Sequence, residues 1–284
     1  MFKFKKGYMK KMLSALFALT AILFLFVACN NETKTTTETK EPKLKEENTT
    51  YMGDSVTMNG FVVYDENMEG VRPAVLVVPE WWGMNDYSKM RATELARLGY
   101  IAMAVDIYGN GLTADNPDSA GKYAMPFYQN PQMAKARIDA AIAKIKTYAQ
   151  TDAANIAAVG YCFGGGILLN TARLGSELKA VVSFHGSLIG TPADIGLLKT
   201  TILVCHGGAD PFVPAAEATA FKQQMDSISA TYTFKEYAGA MHAFTNPNAT
   251  AMGEKFKIPI KYDAAADTAS WRDMKEFFSG VFKK

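Results

Sequence analysis

The sequence predicts an α/β protein, a mostly parallel central sheet with helices on both faces. Runs such as Ala74-Val75-Leu76-Val77-Val78 and Thr201-Ile202-Leu203-Val204-Cys205 are almost wholly apolar. Strands buried on both faces look like this, whereas half-exposed strands alternate. Between these runs lie stretches with apolar residues at helical spacing, and the regular alternation of the two is what parallel strands joined by crossover helices require.

Taken in order, Ala74–Val78 is the first buried strand. Asp86 to Leu98 places Tyr87, Met90, Leu95 and Leu98 on roughly one helical face, and Gly99 ends it. Tyr100–Val105 is the next strand. Pro131 to Tyr148 is a helix with proline in its first turn and Met133, Ile138, Ile142 and Ile145 turned inward. Asn155–Val159 is a strand and Gly164–Leu174 a helix, followed by strands at Lys179–Phe184 and Thr201–Cys205. Helices at Ala215–Ile228 and Asp267–Phe278 close the chain. No internal repeat interrupts this order.

Composition narrows the function. The 284 residues are 49% hydrophobic and 20% charged, which excludes wholesale disorder. Of the net charge of +2, five lysines in the first eleven residues account for more than the whole, and without them the rest carries −3. Such a body has no electrostatic footprint for nucleic acid. Three cysteines in so long a chain do not make a disulfide scaffold.

The amino terminus reads as an address. The lysine-rich start is followed by Leu13 to Ala28, uncharged and largely apolar, and then by Cys29. Sixteen residues fall short of the roughly 20 that span a bilayer, so a secretory signal peptide is favoured over an uncleaved anchor. Phe26-Val27-Ala28-Cys29 resembles the lipobox of bacterial lipoproteins, with Phe26 where leucine is usual. That resemblance implies a signal peptide over residues 1–28, lipidation of Cys29 and a place at the bacterial cell envelope. From Asn30 to Thr50 the chain is Asn, Glu, Thr and Lys with Leu44 its only large apolar residue, so residues 29–50 are expected to be a flexible tether. The folded domain is expected over 51–284.

In open α/β sheets ligands bind outside the carboxyl ends of the strands. The residues there are Glu80, Asp106, Cys162, His185, His206, Asp210 and His242. Gly160-Tyr161-Cys162-Phe163-Gly164 follows a strand and opens a helix, the pattern of a nucleophile elbow with cysteine in place of serine. A helix start favours thiolate, although a buried structural cysteine before a glycine-rich turn would read the same way. Asp210, in Gly207-Gly208-Ala209-Asp210, lies just past a strand, and His242 lies in a loop before the last helix. Nucleophile, acid and histidine thus occur in the order that such hydrolases use. The histidine would act as base and acid, and the aspartate would fix its tautomer. Asp210 as a helix cap and His242 as a polar loop residue remain the plainer readings.

Together with Val78-Pro79-Glu80-Trp81-Trp82-Gly83, Gly208-Ala209-Asp210-Pro211-Phe212-Val213-Pro214 and Met241-His242-Ala243-Phe244, the cysteine elbow resembles the dienelactone hydrolase family of α/β-hydrolases over about residues 55 to 284. The resemblance implies an α/β-hydrolase fold and hydrolysis of carboxylic esters or lactones. It also implies nucleophile Cys162, acid Asp210, base His242 and an oxyanion hole from the backbone N–H groups of Trp81 and Phe163. Glu80 would contact the resting thiol and help to generate thiolate. One position departs: Asn246 stands where the family grips an anionic substrate with arginine, and no arginine lies between Arg97 and Arg137. A neutral small-molecule ester or lactone is therefore expected instead of dienelactone. No cofactor is called for, and neither Cys-x-x-Cys nor His-x-x-x-His spacing suggests a metal. Cys205 reads as strand packing and His206 as a turn residue. Trp81, Trp82, Tyr123, Phe127 and Tyr128 could wall an apolar pocket, but aromatic residues of this kind are more often plain core, and only Trp81 is carried forward. A non-catalytic binding protein on the same scaffold is the alternative, and a thiol redox protein a third reading that lacks a nearby resolving cysteine.

Overall fold

The computed structural model describes residues 41–283. The expected signal peptide and Cys29 lie outside them. Eight strands form one sheet: β1 (Leu44–Gly53), β2 (Val56–Asp65), β3 (Arg72–Val78), β4 (Ile101–Ala104), β5 (Thr151–Tyr161), β6 (Ala180–Phe184), β7 (Thr201–Gly207) and β8 (Tyr232–Tyr237). Their order across the sheet is β1-β2-β4-β3-β5-β6-β7-β8. The pairs β1/β2 and β2/β4 are antiparallel and every later pair is parallel. The helices are α1 (Asp86–Arg97), α2 (Pro117–Gln129), α3 (Pro131–Ile145), α4 (Phe163–Arg173), α5 (Ala215–Ser227), α6 (Ala249–Phe256) and α7 (Ala264–Phe282). No helix among the described residues is long and apolar enough to cross a membrane.

Both faces of the sheet are covered, which is why its inner strands carry no polar alternation. Leu76 and Val78 of β3 pack with Ala134, Ile138, Ile167 and Phe221 from α3, α4 and α5. Val75 and Val77, one residue out of phase, pack with Leu95 of α1 and Phe278 of α7. Each expected strand and helix has its counterpart, with ends displaced by a few residues. The sequence reading lacks β1, β2, β8, α2 and α6.

One boundary is corrected. The stretch expected to be a tether up to residue 50 includes most of β1, whose register with β2 runs from Leu44↔Asp65 to Gly53↔Val56. The two are joined through Asp54 and Ser55, with φ of 52° and 61°. Positive φ at both central residues matches the twist of a tight hairpin. The side chains of β1 alternate between half-buried and exposed, so a polar composition suits it, and hydrogen bonding to β2 supplies the order that its own apolar content does not. The compact unit begins at Pro42. A chain starting at Pro42 should therefore melt with the full-length protein. One starting at Asp54 bares β2, including buried Val62 and Tyr64. It should lose at least about 2 kcal/mol, about 4–8 °C in Tm for a domain of this size. Equal melting of the two truncations would show that β1 adds nothing.

Candidate active site

Cys162 occupies the single residue between β5 and α4, at φ 52° and ψ −117°. A side chain is held in this strained backbone because the turn is built around it. A Cβ on Gly160 would collide with the carbonyl of Gly164, and one on Gly164 with the carbonyl of Val78. Strand and helix approach this closely only with glycine at both places. The result lifts the thiol to the carboxyl end of the sheet, half-buried at the start of a helix.

Two loops meet it there. Asp210 lies just beyond β7, its carboxylate buried, with Oδ1 accepting the backbone N–H of Phe212 at 2.8 Å. Its other oxygen, Oδ2, lies 2.8 Å from His242 Nδ1. An ionised carboxylate only accepts, so Nδ1 carries a proton and Nε2 is the atom turned to the thiol, 3.0 Å from Cys162 Sγ. Burial opposes a charge on this ring, but Cys162 on one side and Asp210 on the other more than offset it and push His242 up to about 10.

Glu80 follows β3 and is buried. Its position differs from the expected resting contact with the thiol. The hydrogen bond of Cys162 Sγ goes to His242, and Glu80 Oε2 accepts from Asn246 Nδ2 at 2.7 Å. Burial pushes Glu80 up to about 7, against the pull of Asn246, His242 and Arg91. Asn246 is thus no gap left by an absent arginine. It is a buried neutral donor that holds the carboxylate without cancelling its charge.

A cavity of 330 Å³ opens over these groups. Glu80, Cys162, His242 and Ser187 bring its polar side chains, and Trp81, Trp82, Met125, Tyr128, Phe212 and Ile258 much of its apolar wall. Among the described residues no lysine or arginine lines it. Trp81 and Phe163, the expected oxyanion donors, both border it. Phe163 is the first residue of α4, where a backbone N–H has no acceptor within the helix. The Trp81 carbonyl accepts the hydroxyl of Tyr108 at 2.9 Å, which fixes the chain there.

The other strand-end candidates have structural surroundings. Asp106 accepts the backbone N–H groups of Asn59, Gly109 and Gly111 at 3.1, 2.9 and 2.8 Å and so organises a loop. Cys205 is buried, with the Tyr237 hydroxyl 3.6 Å from its sulfur. His206 is buried against Phe234. His185 touches the site through Cys162, whose backbone N–H lies 3.0 Å from its Nδ1. Of the aromatic residues weighed as walls, Tyr123 and Phe127 pack on Tyr108 instead. Sequence reasoning missed Met125, Phe212 and Ile258 as walls and the Glu80–Asn246 bond. Among the described residues no three His, Cys, Asp or Glu side chains gather as a metal site.

The sequence profile of the dienelactone hydrolase family matches residues 58–282. A protein of Methylorubrum extorquens named "Putative carboxymethylenebutenolidase" is 31% identical over 187 residues, 62% of this chain and 64% of that one. Among solved structures, a dienelactone hydrolase-like promiscuous phosphotriesterase, P91, from metagenomic libraries superposes with a TM-score of 0.79 at 32% identity, covering 84% of this chain and 98% of that one. Acylaminoacyl peptidase of Pyrococcus horikoshii shares the fold alone, with a TM-score of 0.59 at 15% identity over 76% of this chain and 40% of that one. With its sheet order, its elbow after β5 and a family match across nearly the whole described body, this α/β-hydrolase chain belongs to the dienelactone hydrolase family.

Proposed function

We propose that the protein hydrolyses neutral carboxylic esters or lactones, with Cys162 as nucleophile, His242 as base and acid, and Asp210 as the group that orients the histidine. The observation that carries this reading is the chain of contacts from Cys162 Sγ to His242 Nε2 at 3.0 Å and from Nδ1 to Asp210 at 2.8 Å, beside an apolar cavity. Family membership and the name of the Methylorubrum relative support the reaction class.

The thiolate attacks the acyl carbon, and the carbonyl electron pair moves onto oxygen, where the N–H groups of Trp81 and Phe163 receive it. Each such donor is worth about 3–4 kcal/mol in the transition state. Collapse expels the alkoxide, which takes the proton of His242 Nε2, and a thioester remains. Water then gives a proton to Nε2 as its oxygen attacks the thioester, and cleavage of the C–S bond restores thiolate and imidazolium. Glu80, held aside by Asn246, takes up or releases a proton near neutrality as the charges beside it change. Treatment with iodoacetamide should abolish p-nitrophenyl acetate turnover, with Cys162 the alkylated residue by mass spectrometry. Full turnover by protein alkylated at Cys162 would end the proposal.

The substrate is neutral because no lysine or arginine among the described residues lines the cavity and the charge of His242 is already met by Asp210 and Cys162, so an anion would enter without a guanidinium partner. Neutral short-chain esters and lactones should exceed dienelactone in kcat/KM. A neutral phosphotriester joins the panel because the solved relative carries that activity in its name. Dienelactone outrunning every neutral compound would reveal a cation that reaches the site.

The reading extends to an anchored enzyme at a bacterial envelope, lipidated at Cys29 after removal of residues 1–28. It rests on the lysine-rich start, the uncharged run and Cys29 itself. Cys29→Ser should abolish palmitate labelling and membrane retention through lipid, and unchanged labelling would refute it.

A further inference from the structure

His185 has an environment that packing alone does not require. It follows β6, is buried, and has a φ of 43°, in the left-handed region that costs a non-glycine residue strain. Its backbone N–H donates to Cys205 O at 2.9 Å, which holds it in place. Its ring joins two parts of the site that are far apart in sequence. On one side Nδ1 faces the backbone N–H of Cys162 at 3.0 Å. That N–H is shared with Phe184 O at 2.9 Å. On the other side Nε2 lies 2.7 Å from Thr245 Oγ1.

The partners fix the protonation. A backbone N–H can only donate, so Nδ1 has no proton, and in a neutral ring the proton sits on Nε2 and is given to Thr245. A protonated ring would turn a second N–H against that of Cys162. Thr245 belongs to the loop that carries His242, three residues earlier. The threonine is held in turn: Tyr87 OH is 2.7 Å from its hydroxyl, and Arg91 Nη2 donates to its carbonyl at 2.7 Å. The His185 ring also meets the His242 ring edge-on at 5.3 Å.

We infer that His185 is a positioning residue, a neutral clamp between the Cys162 amide and Thr245 that sets the distance and direction between thiol and catalytic imidazole. Burial, with His242 and Arg91 beside it, lowers the basicity of His185 well below the ordinary histidine range. This keeps the clamp in its working tautomer. The inference rests on Cys162 acting as nucleophile.

The test uses His185→Asn, which can place an acceptor near the Nδ1 position but does not reach Thr245, His185→Gln, which reaches toward Thr245 and leaves the Cys162 amide without its ring acceptor, and the pair Thr245→Val and Thr245→Ser. Misplacement of reacting groups by about 1 Å can cost a hundredfold in rate. Thr245→Val and both His185 variants should therefore lower kcat about tenfold to a hundredfold with KM little changed. They should also move the acid limb of the kcat/KM pH profile, and Thr245→Ser should restore both. Circular dichroism and melting identify any variant that does not fold, in which case the Thr245 pair decides. Folded Thr245→Val with the wild-type kcat and pH profile would overturn the clamp, whatever its Tm. If alkylation of Cys162 left wild-type turnover intact, the underlying reading would fail instead, and the two failures are separately visible.

Discussion

Cys162→Ala should lower esterase kcat/KM at least about a hundredfold, the low end of what a positioned general base alone contributes, with no loss of fold. His242→Ala and Asp210→Ala should each fall by a similar factor or more, and non-additively, because the three contacts form one unit. Cys162→Ser should not rescue activity. The sulfur faces a ring that His242's surroundings hold toward its charged form, and an alcohol at that place is a far poorer nucleophile without comparable activation. The measurement is kcat/KM for p-nitrophenyl acetate alongside melting curves. Wild-type turnover in Cys162→Ala would remove catalysis from this site and leave a ligand-binding scaffold.

Glu80→Gln should make the protein more stable at pH 8 while leaving its stability at pH 4 nearly unchanged. The sign follows from burial. Glu80 binds its proton more tightly in the folded chain, at about 7 against an ordinary 4.5. Its contribution to stability is therefore greatest below pH 4.5, declines between 4.5 and 7, and stays at its lowest above 7. That difference corresponds to about 3 kcal/mol, or about 6–12 °C in Tm for a domain of this size. Glutamine keeps an oxygen to accept from Asn246 and has no charge to bury. Because the thiol is bonded to His242 and not to Glu80, turnover should fall by less than the roughly hundredfold expected of the general base. A Tm difference that does not vary between pH 4 and 8 would show that Glu80 is not the source.

The parts of the fold that the sequence revealed are those where one face has no freedom. Ala74–Val78 and Thr201–Cys205 lie inside the parallel region with both faces covered, so almost no polar residue is tolerated and the pattern is plain. The edge strands β1 and β8 alternate half-buried with exposed positions, and a run such as Leu44-Lys45-Glu46-Glu47-Asn48 has the composition of a loop. Only its pairing with β2 makes it a strand, and pairing is not a local property. The same division holds in the site. Cys162, Asp210 and His242 each follow a turn with its own chemistry, so chain order alone suggested them. Asn246 acts on a carboxylate 166 residues away, and Tyr87 meets Thr245 across 158. Nothing around Asn246 in the sequence distinguishes a donor to Glu80 from a lost arginine.

That no described lysine or arginine lines the cavity bears on the end of the cycle as much as on its beginning. A neutral ester or lactone becomes a carboxylate once cleaved, so the molecule that must leave differs in charge from the one that entered. Among the described residues no guanidinium or ammonium lines the cavity to hold it, the charge of His242 is already met by Asp210 and Cys162, and Glu80 is close by. Like charges repel, and the more strongly the less water lies between them. Release of the acid is thus favoured by the same surroundings that disfavour anionic substrates. Free carboxylic acids should be poor inhibitors even at high concentration, increasingly so as the pH rises above 7.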